Sequence, residues 1–306
     1  MSAPRTVLIT NPFAARATAD AARVAIDVLR GAGWRVDVVP TTGPGDARRL
    51  GEAAVREGVD VLVVQGGDGT MMQAAAALVG TPIPLGMLPA GTGNLLARNL
   101  RIPRSPRAAA RVLVQGVPRR IDLGRVERAQ GPVYFGVAAG TGVDARVMGE
   151  TAAIGKRRWG MAAYIATILR HLPKVRSVPY RLTVDGTVID TLAAMVLVAN
   201  CGDVIPPWIR LGHGITPDDG QLDLIMVRAE GAWQSVRAMW EAVRGLPGGG
   251  NGDSFIGYAR GRVIKVECET PEPVEMDGDA DDATPFTAEV VPGAIAVLTP
   301  TGRRAR

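Results

Sequence analysis

Two short glycine-rich segments carry the residues best suited to chemistry. The first is Gln65-Gly66-Gly67-Asp68-Gly69-Thr70, which follows the apolar run Val61–Val64 and precedes a helical pattern. A strand-to-helix turn of this kind exposes backbone N–H groups at a helix N-terminus, and glycine lets a phosphate approach the chain closely. Asp68 is out of place in a loop that binds only anions, because its carboxylate repels phosphate unless a cation lies between them. A magnesium nucleotide removes the conflict. The second segment, Pro89-Ala90-Gly91-Thr92-Gly93-Asn94, also follows a short apolar strand and opens a helix. Either loop alone could be an ordinary βα turn. Two of them on neighbouring parallel strands would open on the same carboxyl edge, where open α/β sheets bind ligands. Asn11-Pro12 ends the first strand and would open there too.

Acidic positions form a second group. Asp218-Asp219-Gly220 stands just ahead of Asp223, and paired carboxylates beside a glycine suit a divalent ion, a solvated turn being the alternative. Met276-Asp277-Gly278-Asp279 lies inside an acidic run, where the glycine can turn one carboxylate inward as a catalytic group. Asp144, between Val143 and Ala145, is either a substrate contact or a helix N-cap. Other motifs fail. No Walker A spacing is present, since five residues separate Gly149 from Gly155-Lys156 and Arg157 follows. Gly140–Ala145 matches a GxGxxA pattern, but in a β-rich region with no acid about 20 residues on. His171 and His213 are isolated, and Cys201 and Cys268 give neither a disulfide framework nor metal spacing.

The elements that must position these residues alternate regularly at first. Strands are expected at Thr6–Thr10, Trp34–Val39, Asp60–Val64 and Pro84–Met87. Helices are expected at Thr18–Arg30, Asp46–Glu57, Met71–Val79 and from Leu95. This rhythm predicts a parallel sheet covered by helices. From about residue 126 strands dominate: Val133–Ala138, Tyr180–Asp185, Val188–Ala199, Leu222–Val227, Ser254–Ala259 and Arg262–Cys268. The hairpin signal Asp185-Gly186 favours antiparallel pairing. Only Lys156–Leu172 and Ala232–Arg244 read as long helices there. The expected fold is an α/β N-terminal domain with a parallel sheet, residues 1–125, and a β-rich antiparallel C-terminal domain, residues 126–289.

Composition bounds the function. The chain has 306 residues, 47% hydrophobic and 4% aromatic, which excludes a disordered chain. Net charge is +5, and three of 35 basic residues are Lys. Scattered Arg fits an anionic ligand or anionic membrane surface better than a dedicated nucleic-acid binder. Met1–Thr10 is too short for a signal sequence, and prolines break the uncharged stretch Thr70–Ala97, so a soluble or peripheral protein in a reducing compartment is expected.

Taken in order, Asn11-Pro12, GGDGT, PAGTGN, GTGVDA, PDDGQLDL and MDGD resemble the diacylglycerol kinase catalytic-domain family, which includes bacterial lipid kinases and sphingosine kinases. GGDGT alone is shared with NAD kinases and phosphofructokinases. The resemblance implies two domains with ATP and Mg²⁺ between them, the last strands (about 290–302) returning to the first domain. It places Asn11, Pro12, Thr42, Gly66, Gly67, Asp68, Gly69, Thr70, Gly91, Thr92, Gly93 and Asn94 at the nucleotide, with Asp68 also catalytic. Asp219 falls at a magnesium site, Asp144 at the polar head of the acceptor lipid, and Asp279 at the general base. Three positions depart from the family pattern. Asp279 replaces the usual Glu, Leu95 replaces an Asp common after Asn, and Val204–Leu211 replaces a glycine-rich stretch. The implied activity is ATP-dependent transfer to a diacylglycerol-like or sphingoid hydroxyl, in the cytoplasm or at the inner membrane face, with a homodimer left open. The alternatives are a kinase of NAD and a non-catalytic nucleotide- or lipid-binding protein.

Overall fold

A computed structural model describes residues 3–142, 175–205, 209–210, 214–244 and 254–301. The chain divides into two compact units, Met1–Ile121 with Gly293–Arg306, and Asp122–Pro292.

The first unit is α/β. Its elements are β1 (Arg5–Thr10), α1 (Ala19–Gly31), β2 (Arg35–Pro40), α2 (Asp46–Arg56), β3 (Val61–Gly66), α3 (Asp68–Leu78), β4 (Leu85–Pro89), α4 (Leu95–Asn99), α5 (Pro106–Gln115) and the start of β5 (Val117–Val126). The strands run parallel in the order β2-β1-β3-β4. β3 is buried along its whole length, which explains its unbroken apolar run. Met71, Ala75 and Leu78 of α3 and Leu29 of α1 complete the core. The Thr18 hydroxyl caps α1 by accepting from the Ala21 N–H. Helix α3 begins at Asp68, three residues ahead of the apolar pattern, so the GGDGT acid is its first residue.

The second unit is β-rich and antiparallel. Its elements are β6 (Val133–Phe135), β7 (Ala138–Gly142), β8 (Val178–Val184), β9 (Thr187–Ala193), β10 (Met195–Ala199), β11 (Asp203–Ile205), β12 (Ile209–Arg210), β13 (Leu222–Val227), α6 (Gly231–Arg244), β14 (Ile256–Gly261), β15 (Val263–Cys268), β16 (Pro273–Met276), β17 (Asp279–Ala283) and β18 (Phe286–Thr299). One sheet runs β14-β13-β10-β7-β16-β17; the N-terminal half of β18 joins β15, β8 and β9 in another. Side chains from both sheets, including Leu182, Val198, Leu224, Val266 and Phe286, form one core. The C-terminal half of β18 belongs to the first unit, where Val297 pairs in parallel with Leu85 of β4.

One strand expectation needs correction. The run Val188–Ala199 is not one strand but two in different sheets, broken at Ala194, whose N–H donates to the Val227 carbonyl. The apolar sequence is continuous through the break, so periodicity alone conceals it. Gly140 and Gly142 both lie within β7, Gly140 paired to β10 and to β16 and Gly142 to β10, so both glycines of the GxGxxA match are strand residues. A side chain on Gly142, at φ +95°, would stand 2.3 Å from the Ala194 carbonyl oxygen. Asp144, the helix expected at Lys156–Leu172, and part of Val204–Leu211 lie outside the described residues.

Candidate active site

At the carboxyl edge of the parallel sheet, the loops after β1, β3 and β4 are tied into one assembly. The Asn11 N–H donates to the Gln65 carbonyl (2.9 Å), the Ala90 N–H to Gly66 (2.8 Å) and the Arg16 N–H to Ala90 (2.8 Å). The Asn11 amide spans two loops, donating from Nδ2 to Thr70 Oγ1 at 2.8 Å while its Oδ1 accepts from the Phe13 N–H. Pro12 is exposed in this turn. Gly67 and Gly91 meet backbone to backbone: a Cβ on Gly91 would lie 2.6 Å from the Gly67 Cα. Glycine is therefore demanded at Gly91 by close approach. Gly66 is similarly crowded, with Thr70 Cβ 2.8 Å from a would-be Cβ.

The PAGTGN loop is rigid by its own chemistry. Asn94 is buried in the left-handed conformation (φ 52°), its Oδ1 accepting from the Gly91 N–H and its Nδ2 donating to the Gly91 carbonyl, both at 2.8 Å. Its amide thus shapes the loop. Thr92 is exposed, and its carbonyl accepts from Arg104 Nη2 at 3.0 Å.

Asp68 turns its carboxylate toward this second loop. Oδ1 accepts from the Leu96 N–H at 3.4 Å, and Oδ2 lies 3.1 Å from a Cβ placed on Gly93. The carboxylate supplies the acceptor that the short helix α4 lacks at its N-terminus, since its N-cap, Asn94, makes no such bond. Burial raises the Asp68 pKa, opposed by backbone N–H groups of Leu96, Leu95 and Asn94. So its place in a phosphate-type loop has a structural cause that needs no metal.

Three guanidiniums, those of Arg16, Arg98 and Arg104, stand around these loops. Burial and then the charges of Arg16 and Arg98 lower the pKa of Arg104. Among the described residues no salt bridge joins a carboxylate to any of the three. Cations that repel one another beside open backbone donors make an anion-attracting site. No local spacing reveals it, because the three come from separate segments. Thr42, after β2, donates from its N–H and hydroxyl to Asp46 Oδ2 at 2.8 and 2.7 Å. Those bonds and Arg49 hold the Asp46 pKa at about 2.

In the second unit, Asp219 lies in the turn before β13. Its Oδ1 accepts from the Gln221 N–H (3.1 Å), and its Oδ2 is 3.6 Å from Arg260. Asp122, buried in β5, accepts from the Gly220 N–H at 2.7 Å and so fixes the turn. Asp223, also buried, accepts from Arg260 Nε at 2.7 Å and from the Tyr258 hydroxyl. Burial, then its bond to Asp223, pushes the Tyr258 pKa up to about 12. Burial first, and also the Asp223 and Asp122 charges, raise the Asp219 pKa against the effect of Arg260. Among the described residues no three His, Cys, Asp or Glu side chains converge as a metal cage. Magnesium that keeps its waters and takes phosphate oxygens needs only one or two carboxylates, and Asp219 with Asp122 beside it fits that demand.

The MDGD segment is a two-residue hairpin turn, Asp277 at φ 51° and Gly278 at φ 84°, between β16 and β17. Asp277 is consumed by structure. Its carboxylate accepts from the N–H groups of Gly136 (2.7 Å), Val137 (2.8 Å) and Ala138 (3.0 Å). Glu275 Oε2 accepts from the Gly278 N–H at 2.7 Å. Asp279 is exposed at the first residue of β17, on a turn held from both sides.

Comparison with known proteins places the chain in a family. Residues 5–126 match the family described as the diacylglycerol kinase catalytic domain, and residues 137–299 the YegS C-terminal NAD kinase beta sandwich-like domain. A relative named "Diacylglycerol kinase" from Mycobacterium tuberculosis (strain ATCC 25618 / H37Rv) is 35% identical over 303 residues, covering 95% of this chain and 94% of its own. One named "Probable lipid kinase YegS-like" from Pseudomonas aeruginosa (strain UCBPP-PA14) is 33% identical, covering 92% and 90%. The crystal structure of a diacylglycerol kinase from Bacillus anthracis str. Sterne superposes with a TM-score of 0.75 at 21% identity over 97% of both chains, and so shares the fold. By sequence and architecture together, the chain belongs to the diacylglycerol kinase catalytic-domain family.

Proposed function

We propose that the protein is an ATP-dependent lipid kinase that transfers the γ-phosphate to a hydroxyl of a diacylglycerol-like or sphingoid lipid. The observation that carries this reading is the locked pair of glycine loops, Gly67 against Gly91, ringed by Arg16, Arg98 and Arg104. In the first unit, the N–H groups of Gly67–Thr70 at the start of α3 receive phosphate oxygens. Asn11, Pro12, Thr42, Thr92 and the three guanidiniums border the nucleotide, while Asn94 and Asp68 hold the loop shapes. In the second unit, Asp219 would hold magnesium, which neutralises phosphate charge when bound. Asp144 is assigned to the acceptor headgroup on the family pattern.

Transfer forms a bond from the acceptor oxygen to the γ-phosphorus and breaks the bond to the β,γ-bridging oxygen, releasing ADP. The hydroxyl proton passes to the exposed carboxylate of Asp279. Little covalent work falls to the protein, so positioning and charge carry the rate. The test is [γ-³²P]ATP with a mixed lipid extract, with free NAD as a separate acceptor. A labelled lipid supports the reading; label on NAD alone overturns it.

A further inference from the structure

Helix α6 carries large apolar side chains on an exposed face. Trp233, Val236 and Trp240 recur at spacings of three and four, which places them on one face, and they are 74%, 42% and 57% exposed. The opposite face turns inward through Ala238, which is buried, and through polar groups. Gln234 accepts from the Glu230 N–H, and the Ser235 hydroxyl donates to the Gly231 carbonyl. Glu241 accepts from the Phe255 N–H at 3.1 Å and from the Ser254 hydroxyl. So the one acid of the helix is spent on internal bonds. One of its two arginines, Arg237, is exposed next to the tryptophan face, 5.1 Å above the Phe255 ring.

Two tryptophans, a valine and an arginine, with no carboxylate, make a poor face for water. They suit the headgroup boundary of an anionic bilayer, where an indole buries its ring and keeps its N–H wet. The net charge of +5 favours the same surface. Among the described residues no helix is long and apolar enough to cross a membrane. An enzyme acting on a membrane-resident lipid needs a contact with the bilayer surface.

We infer that the outward face of α6 docks the protein on the surface of an anionic bilayer. The inference rests on the lipid-kinase reading only for its purpose, and the two fail separately. The experiment is co-sedimentation of the full chain with phosphatidylcholine vesicles, with or without phosphatidylglycerol. Trp233→Ala/Trp240→Ala and Arg237→Glu are compared with the parent, and thermal melts check folding. The double variant should lose about tenfold in vesicle partitioning, and Arg237→Glu should lose the preference for anionic vesicles. Phosphorylation of long-chain lipid in vesicles should fall in parallel, while a monomeric short-chain diacylglycerol is turned over at the parental rate. Equal vesicle binding by parent and variants overturns the docking face. So does a parental dimer in light scattering that both tryptophan changes convert to monomer, which would give the face to a second copy. If no lipid is phosphorylated yet binding still needs the tryptophans, the kinase reading fails and the docking face stands.

Discussion

Gly91 packs against Gly67 so closely that a methyl group on Gly91 would stand 2.6 Å from the Gly67 Cα. The second loop thereby sets the shape of the first. Gly91→Ala must part the two loops, and overpacking of this kind costs about 1–3 kcal/mol. Nucleotide affinity, read by isothermal calorimetry, should fall about tenfold or more, with a lower melting temperature. Gly43→Ala is the control, because a Cβ there meets nothing within 4 Å.

Asp68 gives a pH prediction. Its pKa is raised from 3.8 by burial, so the native state holds this proton more tightly than the unfolded chain does. The stability from the protonated form is present below 3.8 and is lost as pH rises through the native value. Asp68→Asn cannot ionise and keeps an oxygen for the Leu96 N–H. Its stability relative to the parent should therefore increase as pH rises from 3.8 through the raised native value, measured by denaturant unfolding. Asp68→Ala also removes the acceptor from the start of α4, and phosphoryl transfer should drop at least roughly 10²-fold. Parental activity in the alanine variant would remove Asp68 from the site.

The two acids of the MDGD turn should separate cleanly. Asp279→Asn should lower turnover by about 10²–10⁴ with an unchanged melt, as expected for loss of a general base. Asp279→Glu should retain activity. Asp277→Ala strands three N–H groups at the β6–β7 corner and should cost about 2–4 kcal/mol of stability. A silent Asp279→Asn would move the base elsewhere.

The first unit was legible because its signals are local: an apolar run, then glycine, then a helical period. Asp185-Gly186 closes the β8–β9 hairpin as expected from a two-residue Asp-Gly turn. What stayed hidden depends on distant partners. Asp122 matters because it holds Gly220, 98 residues away, and no pattern near Asp122 states that. Arg98 and Arg104 read as scattered charge until the loops place them together. Helix α5 has a local start signal in Ser105-Pro106, Pro106 being its first residue, but a short ten-residue apolar period to follow it. The role of Asp277 was unreadable for the same reason as Asp122, since its three donors lie about 140 residues earlier.

The guanidinium cluster provides the remaining test of where the anion binds. Arg104 is anchored by its bond to the Thr92 carbonyl and faces the charges of Arg16 and Arg98. Such repulsion is relieved when an anion arrives, so the cluster should contribute more in the bound state than in the free one. Arg104→Gln should raise the KM for ATP by about tenfold to a hundredfold, the range of one charged hydrogen bond. The free protein should melt close to the parental temperature, because a repelling charge and the bond to the Thr92 carbonyl are lost together. ATP should raise the variant's melting temperature less than the parent's, and added salt should narrow the difference. If Arg104→Gln leaves KM and the ATP-dependent melt unchanged, the phosphates do not bind beside the PAGTGN loop, and the nucleotide assignment for Thr92 falls with it.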